Sequence, residues 1–150
     1  MDSVSGEIKF LFSIDHDAML HEEFDESWKV YLRVVGDFEV RVGKKILYKE
    51  VQFCLVEFAV QLSMWLKRSE YSEDFIYTSM ESDEDALFWF KKEWNGWRIG
   101  SVHQEYCEKK KFSDSEIVGA SNKYIDSLRR ELVREYGIDI ENFINGKIKV

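Results

Sequence analysis

Apolar residues recur at every second position along the first third of the chain. In residues 8–12 the apolar residues of one parity are Ile8, Phe10 and Phe12. Residues 28–50 repeat the pattern in three runs: Trp28, Val30, Leu32 and Val34, then Phe38, Val40 and Val42, then Ile46 and Tyr48. A period of two is typical of strands, and the pairs Gly36–Asp37 and Gly43–Lys44 suggest turns. These runs predict an antiparallel meander, while the acidic stretch 16–27 predicts a loop or a frayed turn.

The spacing changes to steps of three and four in two longer segments. In residues 51–69 the apolar stripe is Leu55, Phe58, Ala59, Leu62, Trp65 and Leu66, which predicts a first helix. Residues 111–137 predict a second helix, in which Ser113 and Glu116 match a capping box and Gly137 ends the helix. Its apolar face comprises Ile117, Ala120, Tyr124, Leu128 and Leu132.

Three further strands are predicted between these helices. Residues 74–80 and 86–93 have strand composition and are joined by the acidic sequence ESDED. Asn95 and Gly96 predict a two-residue hairpin turn, and residues 97–106 the return strand. The tail at 138–150 is expected to dock as a turn or an edge strand.

The order of elements is strands, helix, strands, helix. Because the strands come in hairpin runs, this order predicts an α+β fold, in which an antiparallel meander sheet packs two main helices on one face. The chain has 150 residues, of which 45% are hydrophobic, so residues 1–150 are expected to form a single domain.

The charge balance narrows the classes of partner. The formal net charge is −8, whereas nucleic-acid-binding proteins are normally basic, so the expected partner is a basic protein and not a nucleic acid. The first ten residues have neither a basic region nor an apolar core typical of a signal peptide, and the most apolar stretch, 53–66, is too short to span a bilayer. We therefore expect a cytoplasmic protein, in which Cys54 and Cys107 are reduced thiols.

The acidic sequence at 81–85 has some features of a metal site. Glu81, Asp83 and Asp85 alternate like calcium ligands, but an EF-hand loop starting at Glu81 would need glycine and glutamate where the chain has Ala86 and Lys92. Neither of the two common glycine-rich phosphate-binding motifs occurs in the sequence. No cofactor is therefore expected, and the alternatives for this stretch are a solvated loop or a surface that contacts a partner.

Histidines provide the main argument for an enzyme. His103 and Glu105 would share one face of the predicted return strand, where the carboxylate could orient the imidazole as a general base. His16 and His21 lie among acidic residues and could bind a metal ion with them. Neither pattern comes with a recognisable nucleophile or metal motif, so a small hydrolase or metal-dependent enzyme is the alternative hypothesis.

Parts of the chain resemble small bacterial immunity proteins of polymorphic toxin systems, with WapI-like immunity proteins the nearest group. The similar segments are FCLVEFAVQLSMWL at 53–66 and FIYTSMESDEDALFWFKKEWNGWRIGSVHQE at 75–105, and the likeness extends over residues 28–106. The long C-terminal helix departs from the pattern of that group. The resemblance implies a non-catalytic protein that binds a toxin domain made by the same cell and blocks it.

These observations predict a partner-binding site on an acidic surface. We expect Glu81, Asp83, Glu84 and Asp85 to form its charged rim and Trp94, beside the predicted turn, to serve as its aromatic anchor. Residues 15–26 are a second candidate surface. A regulatory domain that binds a peptide at an open sheet edge is a further alternative.

Overall fold

In the computed structural model, which describes residues 6–68 and 73–147, two three-stranded antiparallel sheets are flanked by helices. The strands are β1 (Ile8–Ile14), β2 (Val35–Val42), β3 (Lys45–Cys54), β4 (Phe75–Tyr77), β5 (Phe88–Glu93) and β6 (Gly96–Gly100). The helices are α1 (His16–Leu20), α2 (Ser27–Arg33), α3 (Leu55–Leu66), α4 (Asp114–Tyr136) and α5 (Glu141–Ile144). The α+β class is confirmed, but the strands form two sheets, β1–β2–β3 and β4–β5–β6, instead of one.

The aromatic core joins both sheets to both long helices. The ring of Phe10 in β1 lies 6.2 Å from that of Phe38 in β2 and 6.0 Å from that of Phe58 in α3. The same ring lies 5.7 Å from Phe88 in β5 and 6.4 Å from Tyr124 in α4. Such spacings are typical of favourable aromatic pairs. The inner face of the first sheet is therefore covered by α3, α4 and the second sheet.

The predicted ends of α4 are confirmed. The Ser113 side chain accepts a hydrogen bond from the Glu116 amide at 3.1 Å, and the Glu116 side chain accepts one from the Ser113 amide at 3.0 Å. Gly137 follows the helix with a φ of 64°, a left-handed conformation that glycine adopts without the steric cost of a Cβ.

The prediction of a strand at 28–34 is wrong, because residues 27–33 form α2. Tyr31 is buried and Trp28 is 41% exposed, which is the reverse of what the alternating pattern required. A short apolar run with both alternate and three-residue spacings fits either structure. In α2 the buried Tyr31 and the adjoining Val34 are three residues apart and face the core.

Glycine serves a different purpose from the predicted one in two places. Gly36 lies within β2 instead of in a turn, and a Cβ there would come 2.1 Å from the backbone oxygen of Ser13 in β1. The second hairpin turns at residues 94–95, one position before the predicted Asn95–Gly96 turn, since Gly96 already pairs with Glu93. Gly96 has a φ of 139°, and a Cβ there would come 2.9 Å from the Phe112 oxygen.

Four boundaries also differ from the predictions. Residues 16–20 form α1, whose first turn is capped by the side chain of Asp15, which accepts from the Ala18 amide at 3.1 Å. Residues 51–54 continue β3 and do not begin α3. The strand β6 ends at Gly100, so residues 101–106 are not a strand. Within the predicted tail, residues Glu141–Ile144 form α5. Residues 1–5, 69–72 and 148–150 lie outside the described residues, so the predicted end of the first helix at 69 and the end of the tail at 148–150 fall there.

Candidate functional site

The predicted acidic site lies in residues 78–87, here called the acidic loop, which connects β4 to β5. Glu81, Asp83, Glu84 and Asp85 are all exposed on it. The loop begins beside α3 and ends where Leu87 enters the core. Its four acids therefore project into solvent from a segment that is held at both ends.

A buried glutamate on α3 anchors the start of the acidic loop. Glu57 is fully buried, and one of its oxygens accepts a hydrogen bond from the Tyr77 hydroxyl at 2.8 Å. Its other oxygen accepts from the Met80 amide at 2.9 Å. Burial, and then the proximity of Glu57, raise the pKa of Tyr77 far above its usual range, so its hydroxyl keeps the proton that it donates. One turn further along α3, Gln61 donates to the Thr78 oxygen at 2.7 Å.

Hydrogen bonds within the acidic loop hold its curved shape. The Thr78 hydroxyl donates to the Asp85 backbone oxygen at 3.0 Å, and the Leu87 amide donates to the Tyr77 oxygen at 3.0 Å. The Ser79 hydroxyl accepts from the Glu81 amide at 3.1 Å. Serine and threonine commonly stabilise turns in this way. The acids therefore lie on a loop whose conformation is fixed by hydrogen bonds.

Two of the four acids have a basic side chain as a neighbour. Glu81 lies 3.4 Å from Arg33 of α2, and Glu84 lies 3.7 Å from the Nε2 atom of His103. Asp83 and Asp85 make no ion pair with any residue in the described ranges 6–68 and 73–147. Both carboxylates are exposed, and they are the groups of the acidic loop with the most charge available to a partner.

Arg33 brings the second candidate surface next to the acidic loop. Its guanidinium lies 3.9 Å from Glu22, which belongs to the predicted surface at 15–26, and 3.4 Å from Glu81. The same guanidinium lies over the ring of Trp28, with its central carbon 5.4 Å from the ring centroid. The two acidic segments are far apart in sequence but form one continuous surface in the fold.

Exposed apolar side chains surround the acidic loop. Met80, within the loop, is 70% exposed, and Val102, whose amide donates to the Ala86 oxygen at 3.4 Å, is 50% exposed. Val51 is also exposed and lines a cavity with Glu81. Trp28 is next to the loop because Arg33, which pairs with Glu81, lies over its ring. Apolar side chains ringed by charge are typical of protein interfaces. We call the acidic loop and these four residues the acidic face.

Trp94 does not belong to the acidic face. It is 95% exposed in the β5–β6 turn, whereas the acidic loop precedes the other end of β5. The six residues of β5 separate the two positions by roughly 20 Å. The structure therefore does not bring Trp94 together with the four acids, whereas the exposed Met80 lies on the acidic loop itself.

A cavity of about 190 Å³ beside the acidic loop is lined by His103 of the enzyme hypothesis, but not by Glu105. Its lining includes Cys54, Ser79, Glu81 and His103. Burial, followed by the charge of nearby Glu57, raises the pKa of the Cys54 thiol to about 11, so this thiol is a poor nucleophile at neutral pH. Since β6 ends before residue 101, the strand geometry predicted to align His103 with Glu105 is absent, and His103 faces Glu84 instead.

The proposed metal ligands are also dispersed. The Nδ1 atom of His16 contacts the Tyr136 hydroxyl, and His21 is exposed. In the part of the chain that the structure describes, no three His, Cys, Asp or Glu side chains are grouped so that they could hold a metal ion. The helices in the same part also lack the combination of length and apolar composition needed to cross a membrane.

Sequence reasoning missed the residues that position the acidic loop. Glu57 is the sole acid in the apolar stretch 53–66, and a charge within a buried helical stripe is a signal that could have marked it as a structural anchor. The contribution of Arg33 has no comparable signal, since it depends on a contact across 48 residues.

Comparison with models of known protein families gives a match. A family model described as a domain of unknown function, DUF7878, matches residues 10–134. Neither a curated protein nor a solved structure matches the chain. The matched segment runs from β1 through most of α4, so it includes the whole acidic face. The chain therefore belongs to the DUF7878 family.

Proposed function

We propose that this protein is a non-catalytic immunity protein, which binds a basic toxin domain in the cytoplasm of the cell that makes both and thereby neutralises it. The acidic face is the surface that binds. The observation that carries the proposal is the exposed pair Asp83 and Asp85, held on an ordered loop next to exposed apolar side chains. The toxin as partner comes from the resemblance of residues 28–106 to immunity proteins.

The chemistry of the acidic face supports a basic protein partner. Free carboxylates attract lysine and arginine side chains over a distance and speed association, while desolvated apolar groups slow dissociation. Met80 and Trp28 offer the apolar contact, and Arg33 lies within ion-pair distance of both acidic segments. A toxin that cleaves nucleic acid has a basic substrate cleft, which such a surface would cover.

The proposal also explains why the acidic face contains groups of both kinds. Charge alone gives weak interfaces because exposed ion pairs contribute only about 0–1 kcal/mol each. Well-packed apolar anchors commonly contribute about 2 kcal/mol or more. We therefore expect Met80 and Trp28 to determine how long the complex lasts, and the acids to determine how fast it forms.

Co-expression with the toxin tests the proposal. The probe is the C-terminal domain of the toxin encoded next to this protein's gene, produced together with either the wild-type protein or the variant in which Glu81, Asp83, Glu84 and Asp85 are all changed to lysine. We expect the wild type to restore growth and the variant to fail. Trp94→Ala is the matched control and should restore growth fully, because Trp94 lies at the opposite end of β5.

Two results would contradict the proposal at different levels. Rescue by the four-lysine variant would show that the toxin binds another surface. Failure of the wild-type protein to bind the neighbouring toxin domain or to restore growth would remove the immunity function itself.

A further inference from the structure

The outer edge of β1 has no strand beside it among residues 6–68 and 73–147. The Glu7 oxygen accepts from the Gly43 amide at 2.8 Å, and the Asp15 amide donates to the Val35 oxygen at 2.9 Å, so odd-numbered residues bond to the β2 side. Backbone groups alternate in direction along an antiparallel strand. The outward N–H and C=O groups therefore belong to Ile8, Phe10, Phe12 and Ile14.

Two other sheet edges are covered in part by local contacts. The Glu105 amide donates to the Leu47 oxygen at 2.7 Å along the outer side of β3. Trp97 of β6 exchanges two backbone hydrogen bonds with Phe112, at 2.8 and 2.9 Å. By contrast, β1 runs for seven residues in unbroken register with β2 and contains no proline. Proteins normally blunt such edges, so an open one of this length indicates a surface that pairs with another strand.

A groove between β1 and α4 leaves room for that strand. Its volume is about 460 Å³, and one face of α4 lines it with Glu116, Gly119, Ala120, Lys123, Ser127 and Glu131. Three of these residues are small, and a Cβ added at Gly119 would meet no atom within 4 Å. Glycine inside a helix is unfavourable, and here no neighbouring group requires it. The wall of the groove is therefore open to a second polypeptide.

We propose that β1 pairs with β1 of a second copy about a two-fold axis at Leu11, so that the two first sheets join into one of six strands. In this register Ile8 lies opposite the second copy's Ile14, and Phe10 lies opposite the second copy's Phe12. Both are hydrogen-bonded pairs, so each outward backbone group of these residues gains a partner. Symmetric pairing of the same patch is the commonest form of oligomer.

The outer face of β1 favours a second copy over a foreign strand. Leu11 is 41% exposed at the middle of the strand, and on the axis it would face its own equivalent in a non-hydrogen-bonded pair, where side chains lie closest. Lys9 would lie opposite the second copy's Ser13, so no charge faces a like charge. The strand therefore complements itself in both hydrogen bonding and side chains.

The mass in solution tests the pairing. Light scattering should give twice 17.9 kDa for the wild-type protein. Leu11→Lys should return the mass to one chain, because it places two ammonium groups together on the axis, while circular dichroism should show an unchanged fold. The matched control is Val133→Lys, an exposed apolar residue of α4 that does not line the groove, and it should remain a dimer.

Disulfide formation tests the register without destabilising the pair. In a Cys107→Ser background, Leu11→Cys should oxidise to a covalent dimer, because a non-hydrogen-bonded pair places the Cα atoms about 4.5 Å apart. Lys9→Cys should not, since it faces Ser13. The proposal would be overturned by a wild-type protein that stays monomeric, including one that binds an extended peptide along β1. It would also be overturned by a dimer that survives Leu11→Lys, or by equal cross-linking of the Leu11→Cys and Lys9→Cys variants.

Discussion

Replacing Glu57 should loosen the acidic loop and destabilise the whole protein. Glu57→Leu removes the acceptors of two donors, the buried Tyr77 hydroxyl and the Met80 amide. A buried donor left without a partner costs about 1–3 kcal/mol. Burial of the leucine side chain offsets part of the loss, so we expect the free energy of unfolding to fall by about 2 kcal/mol.

Glu57→Gln is the matched control, because glutamine has nearly the same shape and keeps one oxygen. That oxygen can accept from the Met80 amide, while the new NH₂ group can donate to the Tyr77 oxygen. We expect its cost to stay below about 1 kcal/mol, typical of one altered hydrogen bond.

Urea unfolding followed by tryptophan fluorescence gives the free energy of unfolding of both variants. In thermal unfolding, a loss of about 2 kcal/mol should lower Tm by roughly 4–8 °C in a chain of this size. Hydrogen exchange at the Met80 amide reports the loop directly and should be faster in Glu57→Leu. A leucine variant as stable as the wild type, or one whose Met80 amide remains protected, would refute the assignment of Glu57 as the anchor.

Further predictions concern one glycine within α4, the glycine that follows it, and the cysteines. Gly119→Ala should stabilise the protein by about 0.5–1 kcal/mol in urea unfolding, because alanine is the better helix former and meets no obstacle. Gly137→Ala should instead destabilise it by about 1 kcal/mol, since its φ of 64° disfavours a Cβ; equal effects would contradict the helix end described above. At neutral pH, iodoacetamide should modify the exposed Cys107 and spare Cys54 until urea unfolds the chain, because burial and a raised pKa keep the Cys54 thiol protonated. Mass spectrometry detects the modified residue, and rapid labelling of Cys54 in the native protein would contradict this prediction.

The parts of the fold that depend on local chemistry were predictable from the sequence. The capping box of Ser113 and Glu116 and the glycine at 137 act within a few residues, and all three have the predicted geometry. Strand β1 was predicted for the same reason, since its alternation lies within seven residues. Local patterns failed at α2, where a short apolar run fits two periods and packing of Tyr31 decides between them.

The candidate site was only partly predictable because it depends on contacts between distant residues. The four acids could be read from the sequence, but their connection to Glu22 runs through Arg33, which lies 48 residues from Glu81. By contrast, the separation of Trp94 from the acids could have been predicted, because the expected strand at 86–93 already places them at its opposite ends. Long-range pairing, more than residue type, defines the acidic face.

The most direct test of the acidic face is the Kd for the neighbouring toxin domain when Asp83 and Asp85 are changed together to asparagine. A matched control, Ser115→Lys with Asn122→Lys, changes the net charge equally at exposed positions of α4. If the acidic face binds the toxin, the double asparagine variant should raise Kd about tenfold, equivalent to about 1.4 kcal/mol, with a slower association rate, while the control stays near the wild type. An unchanged Kd for the asparagine variant, or an equal loss in the control, would contradict the account.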